Sequence, residues 1–282
     1  MIYEATFLSG LGLVSLAFGA EFIDSSLGMG YGTTLTPLLM LMGFSPLQIV
    51  PTILLSEFIS GLLAAFLHHV VGNVNFKINS TSMKLSYIIK KVKQNGIVKS
   101  FNKGFSLDFR ISVILGLLSM FGAIFAVLLA LNIPKIWLNI YIAILITVIG
   151  LKILVSMHKK QKFSWKKVIF IGTLASFNKG LSGGGYGPLV TGGQLLSGVK
   201  PKKAIAITSF AEGLTCLVGI IAFITLSDAI DWSLAPFMIT GAMLSVPLSV
   251  LAIKRFHPKN LMRIIGLVVL GLGLMNIIKL VF

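Results

Sequence analysis

Negative charge is scarce in this chain. Eight Asp and Glu stand against 24 Lys and Arg in 282 residues, and charged residues make up only 11% of the total. Soluble domains carry about a quarter charged residues. A soluble globular enzyme and a disordered tail are therefore excluded, and so is a nucleic-acid module, despite the net charge of +16. Cysteine is rarer still. Cys216 stands alone in an apolar run, which excludes a disulfide framework, a paired-thiol redox centre and a Cys-based metal site. His68 and His69 end an apolar run beside the basic loop and read as solvated at the interface; no His or acid at metal-ligand spacing accompanies them, so neither metal nor cofactor is expected. Gly183-Gly184-Gly185 lacks the Gly-Lys-Ser/Thr that would complete a P-loop, and no Ser/His/Asp arrangement is visible. The chain does not read as an enzyme.

What is present is apolar surface: 56% hydrophobic residues and a mean hydropathy of +0.96. Apolar stretches fall at 5–23, 30–43, 46–71, 110–131, 135–157, 166–181, 185–198, 201–226, 233–254 and 261–281. A crossing helix needs about 20 residues, so 30–43 and 185–198 are short. The start of the chain lacks a basic region, and its first apolar run leads into Glu21 and Asp24, so no removable leader is expected. If all ten stretches cross, 21 of the 24 bases fall on one side. The excess of Lys and Arg marks that side as cytoplasmic and places both termini outside, in a multi-pass protein of the plasma membrane. The loop 72–110 is basic. It reads as a segment lying on anionic lipid headgroups, or else as a regulatory or partner-binding element; its run Leu85–Val92 is amphipathic.

The chain also repeats itself. At an offset of 155, Gly28-Met29-Gly30-Tyr31-Gly32 lies over Gly183-Gly184-Gly185-Tyr186-Gly187, with Pro46 over Pro201 and Glu57 over Glu212. Past the long loop, Asp108-Phe109 matches Asp231-Trp232 and Gly150 matches Gly273. The reading is an all-α membrane protein of about ten transmembrane helices. It divides into a first five-helix repeat, 1–157, and a second, 158–282. Five is odd, so the copies are inverted, as in alternating-access transporters with midplane substrate sites. A non-transporting membrane scaffold or assembly factor is the other reading.

The glycine–tyrosine element, its copy Leu181-Ser182-Gly183-Gly184-Gly185-Tyr186-Gly187-Pro188, and the segment His68–Phe76 together resemble the sulfite exporter family, also called the four-toluene-sulfonate uptake permeases. The resemblance covers essentially the whole chain. It implies a secondary transporter of sulfite, a sulfonate or another organosulfur anion. The long basic loop at 77–107 departs from the family pattern.

Candidate site residues follow from what a bilayer should not tolerate. Gly28, Gly30, Gly32, Gly183, Gly184, Gly185 and Gly187 disfavour continuous helix, so 30–43 and 185–198 read as short helices starting inside the membrane. Such an N-terminus offers bare N–H groups to an anion; helix packing is the plainer role for these glycines. Tyr31 and Tyr186 lie within the same elements. Glu57 and Glu212 each follow a proline by 11 residues, about 16 Å into the bilayer. An ionised acid there costs at least about 2.5–3.5 kcal/mol, so it needs a partner or a proton. Coupling or gating is one role, a hydrogen-bonded tie between helices the other. Asp24 and Lys179 occupy matching positions and read as an ion pair, or Lys179 reads as the charge that attracts the anion. Asn178, Ser182, Thr36 and Thr191 add polar groups, and Glu21 is expected near a span end in reach of water. A small anionic substrate and the lipid are the expected partners, and a homo-oligomer is compatible with this reading.

Overall fold

The computed structural model describes residues 2–77, 104–130, 135–156, 161–182, 186–226 and 230–281. Each of the ten apolar stretches is a helix there: α1 Ile2–Leu27, α2 Tyr31–Leu41, α3 Pro46–Val70, α4 Leu107–Ala130, α5 Lys135–Ser156, α6 Trp165–Ser182, α7 Tyr186–Leu196, α8 Pro201–Leu226, α9 Ala235–Arg255 and α10 Pro258–Val281. No strand forms among the described residues. Among the described residues, five helices are long and apolar enough to cross a bilayer, through Gly10–Leu27, Gln48–Val70, Pro201–Thr225, Ala235–Arg255 and Pro258–Ile278. At 11 residues each, α2 and α7 reach only about 16 Å. The amphipathic run at 85–92 lies outside the described residues.

Local chemistry sets the boundaries. The chain leaves α1 through Gly28 and Gly30, whose φ angles of 74° and 131° only glycine adopts without strain. At α3, Gln48 Oε1 accepts the Ser45 N–H at 3.0 Å and Pro46 opens the first turn.

Two bundles result. In one, α1, α2, α3 and α9 pack around Leu13, Ala17, Tyr31, Leu35 and Met238. In the other, α4, α6, α7 and α8 surround a larger core including Leu115, Ala175, Leu189 and Ile205, to which α5 and α10 add Ile149 and Ile265. The bundles meet where α3 crosses α8. Glycines make that contact close: a Cβ on Gly61 would lie 2.9 Å from the Ser209 carbonyl, and one on Gly219 2.9 Å from Leu54. Because Leu54 meets Gly219 while Gly61 meets Ser209, the two helices run antiparallel. α5 and α10 cross in the same way, with Gly150 against Leu270 and Gly273 against Thr147.

Substituting α6–α10 for α1–α5 in order preserves the principal packing. The pair α1·α9 becomes α6·α4, α3·α9 becomes α8·α4, and α3·α8 and α5·α10 map onto themselves. Two polar contacts obey the same exchange. Lys203 Nζ donates to Asp108 at 2.7 and 3.0 Å, joining α8 to α4. Gln48 Nε2 donates to Asp231 at 2.8 Å, joining α3 to the start of α9. Gln48 and Lys203 hold matching positions on antiparallel helices, so these contacts sit at opposite ends. Ser233, through its hydroxyl and N–H, and Gln48 hold the Asp231 carboxyl below the usual carboxylate range. Lys202 bonds the Lys254 carbonyl and Lys167 the Leu196 carbonyl, which gathers these bases at the Asp108 end.

Candidate functional site

The break between α1 and α2 meets the first turn of α7 inside the molecule. A Cβ on Gly187 would lie 2.6 Å from the Gly28 carbonyl and 2.8 Å from Met29. A directed chain of hydrogen bonds fixes this junction. Gln194 Nε2 donates to Thr208 at 2.8 Å, Thr208 meets Thr191 at 3.0 Å, and Thr191 donates to the Gly28 carbonyl at 3.0 Å. Since Thr191 gives its proton to Gly28, Thr208 must be the donor between the two threonines. Gly183, Gly184 and Gly185 lie outside the described residues. Asn178, Lys179 and Ser182 belong to the last turns of α6, with side chains outside the description; so does the expected Asp24–Lys179 pairing.

Tyr31 and Tyr186 are both buried, and they make matching contacts. The Tyr31 hydroxyl lies 2.6 Å from Ser56 Oγ and donates to the Met238 carbonyl of α9 at 3.4 Å. The Tyr186 hydroxyl pairs with the Ser119 hydroxyl of α4, which meets the Leu115 carbonyl, the counterpart of Met238, at 2.8 Å. Each tyrosine thus ties its short helix to the fourth helix of the opposite set of five.

Carboxylates already hold the N-terminus of α2. The Tyr31 N–H points to Asp24 Oδ1 at 3.3 Å, and the Gly32 N–H to Glu57 Oε1 at 3.2 Å. The other Glu57 oxygen accepts from Cys216 of α8 at 3.3 Å. The helix end does attract negative charge, and here the protein's own acids supply it. Glu57 and Glu212 are half-buried on α3 and α8, and Glu21, Asp24, Glu57 and Glu212 lie within electrostatic reach of one another.

Two placements differ from expectation. Glu21 is 1% exposed rather than at a span end. Ser25, one turn on, and Ser60 of α3 (3.0 Å) donate to its two oxygens. His68, expected at an interface in water, is fully buried: Nε2 donates to the Ser25 carbonyl at 3.3 Å and Nδ1 accepts from Asn73 at 2.9 Å. That pair of partners selects the neutral tautomer with its proton on Nε2. His69 Nδ1 accepts the Phe76 N–H at 3.2 Å and packs beside that ring. A signal for His68 was present, since Thr52, Ser56, Ser60, Ala64 and His68 recur every four residues and make one buried face of α3.

Residues 13–83 and 92–276 match the family model described as Sulfite exporter TauE/SafE. The chain belongs to this family. A protein of Bacillus subtilis (strain 168) described as "Probable membrane transporter protein YtnM" is 24% identical over 258 residues, covering 88% of this chain and 75% of that protein. No solved structure matches. Membership makes the chain a multi-pass membrane transporter and gives it a small-molecule substrate.

Proposed function

We propose that this protein is a secondary transporter of a small anion, a sulfur oxyanion or organosulfonate, working by alternating access between two inverted five-helix halves, 1–157 and 158–282. The observation that carries this reading is the meeting of the glycine break Gly28–Gly32 with the start of α7, at Gly187 and Thr191, inside the molecule. The matched contacts of Tyr31 with Tyr186 and of Asp108 with Asp231 support the inverted relation of the halves. All ten helices count as crossings in this scheme, with the basic loops in the cytoplasm of a plasma-membrane protein and both termini outside.

The anion seat is the pair of breaks: Gly28, Gly30, Tyr31 and Gly32 on one side, and Asn178, Lys179, Ser182, Gly183, Gly184, Gly185, Tyr186 and Gly187 on the other. Lys179 supplies the fixed positive charge, and Asp24, Glu57 and Glu212 couple or gate. The Gly32 N–H gives this a chemical form. It is held by the Glu57 carboxylate at 3.2 Å. A proton on Glu57 weakens that bond and frees the N–H for the incoming anion, so proton and anion enter together. The same exchange removes the repulsion between substrate and carboxylate.

The test is flux of sulfite and of a small sulfonate into proteoliposomes, with and without a pH gradient. Native protein should respond to the gradient. Lys179→Ala should lose flux, and Glu57→Gln or Glu212→Gln should retain binding in a thermal-shift assay while losing the gradient response. Undiminished, gradient-driven flux through folded Lys179→Ala and Glu212→Gln would overturn the assignment.

A further inference from the structure

The two short helices are equivalent by sequence, yet they are covered unequally. Every residue of α7 from Tyr186 to Leu195 is buried. On α2, Leu38, Met40 and Leu41 are 37%, 50% and 85% exposed, although Leu195, the counterpart of Met40, is 2% exposed. The cover over α7 is the α5–α10 pair. Both of its helices pack on α7, α5 also reaches α6, and α10 also reaches α8. A Cβ on Gly192 would lie 2.7 Å from Ile149 and 3.0 Å from Ile153 of α5. Neither helix gives α2 or α3 comparable packing among the described residues.

The α5–α10 pair maps onto itself under the exchange of the two sets of five. Gly150 against Leu270 becomes Gly273 against Thr147, and the crossing is unchanged. A self-matching pair has an equivalent seat on each bundle. We infer that the α5–α10 pair is a movable cover, which in a second state leaves α7 and packs on α2, bringing Leu272 of α10 against Pro37 as Ile149 now lies against Gly192. This rests on the inverted-repeat reading above and gives it moving parts.

Energetics favour such a device. Lipid is as apolar as Leu or Met, so uncovering one short helix while covering the other exchanges like for like. The two states then differ through packing detail, within the few kcal/mol that keep a minor state populated. The state described here seals the junction along α7, toward the Lys203 end, and leaves α2 uncovered toward the Asp231 end. Thr33 and Thr34, exposed beside the Gly30 break, are polar groups that suit a path open to water there.

The experiment uses the full chain in a Cys216→Ser background, reconstituted in liposomes. A short bis-thiol reagent is applied to Pro37→Cys/Leu272→Cys and, separately, to Gly192→Cys/Ile149→Cys. Both pairs should cross-link within single chains. Locking the Pro37–Leu272 pair should speed labelling of an added Leu195→Cys by at least about tenfold, given a minor-state population below about 10%, and should slow labelling of Met40→Cys. Three results would overturn the inference: no Pro37–Leu272 cross-link in protein that unfolds as cooperatively as the native chain, Met40 labelling that ignores the lock, or Met40→Cys linking two copies of the chain, which would make α2 a dimer face. Cross-linking needs no substrate. Protein that cross-links as expected but moves no anion would sink the transport reading and leave the moving cover standing.

Discussion

Glu21 shows how one acid is made tolerable in an apolar bundle. Its two oxygens each accept a hydroxyl, from Ser25 and Ser60, so the carboxyl is solvated by side chains in place of water. Glu21→Ala should therefore cost about 1–3 kcal/mol for each hydroxyl left without its acceptor. Glu21→Gln keeps one acceptor oxygen and should cost much less. Thermal unfolding in detergent separates the two; equal losses would mean the hydroxyls do not depend on Glu21. The site itself was legible in part. Glu57 stood out as a charge in an apolar run, and its contact with the Gly32 N–H agrees with a helix start there. Glu21 was misplaced because an acid near the end of an apolar run looks like a boundary. Only the position of Ser60, on a helix 39 residues further along, shows that it is interior.

At the scale of elements, glycine sets how closely helices approach. In the α5–α10 pair a Cβ on Gly273 would lie 2.4 Å from Thr147 Oγ1 and 2.6 Å from the Thr147 nitrogen, which no rotamer change relieves. Gly273→Val should destabilise by about 1–3 kcal/mol through overpacking. Gly271 lies two residues away with nothing within 4 Å of its would-be Cβ, so Gly271→Ala should be neutral or slightly stabilising. Melting curves that rank the two variants the other way would show that the crossing is not where Gly273 places it. The sequence marked Gly150 and Gly273 as a matched pair but gave no hint that each touches the other's helix.

For the whole molecule, the proposed topology puts the base-rich end in the cytoplasm. The contacts of Lys202 and Lys167 gather those bases at the Asp108–Lys203 end, and Asp231 lies at the other. In the Cys216→Ser background, a membrane-impermeant thiol reagent should label Lys259→Cys only from the cytoplasmic side and Trp232→Cys only from outside. Labelling of both from one side, or in the reverse sense, would contradict the proposed topology.

The ten helices among the described residues and the break at Gly28 are written in the order of residues, because apolar run length and glycine are local properties. The partners are not. That Thr208 and Gln194 brace the junction at Gly28, that His68 is locked by Ser25 and Asn73, and that Gln48 and Lys203 are matched latches all depend on helices far apart in the chain. Tertiary structure alone decided one thing more. The α5–α10 pair covers α7 and leaves α2 open, because Ile149 and Ile153 close on Gly192 while neither helix gives α2 comparable packing among the described residues.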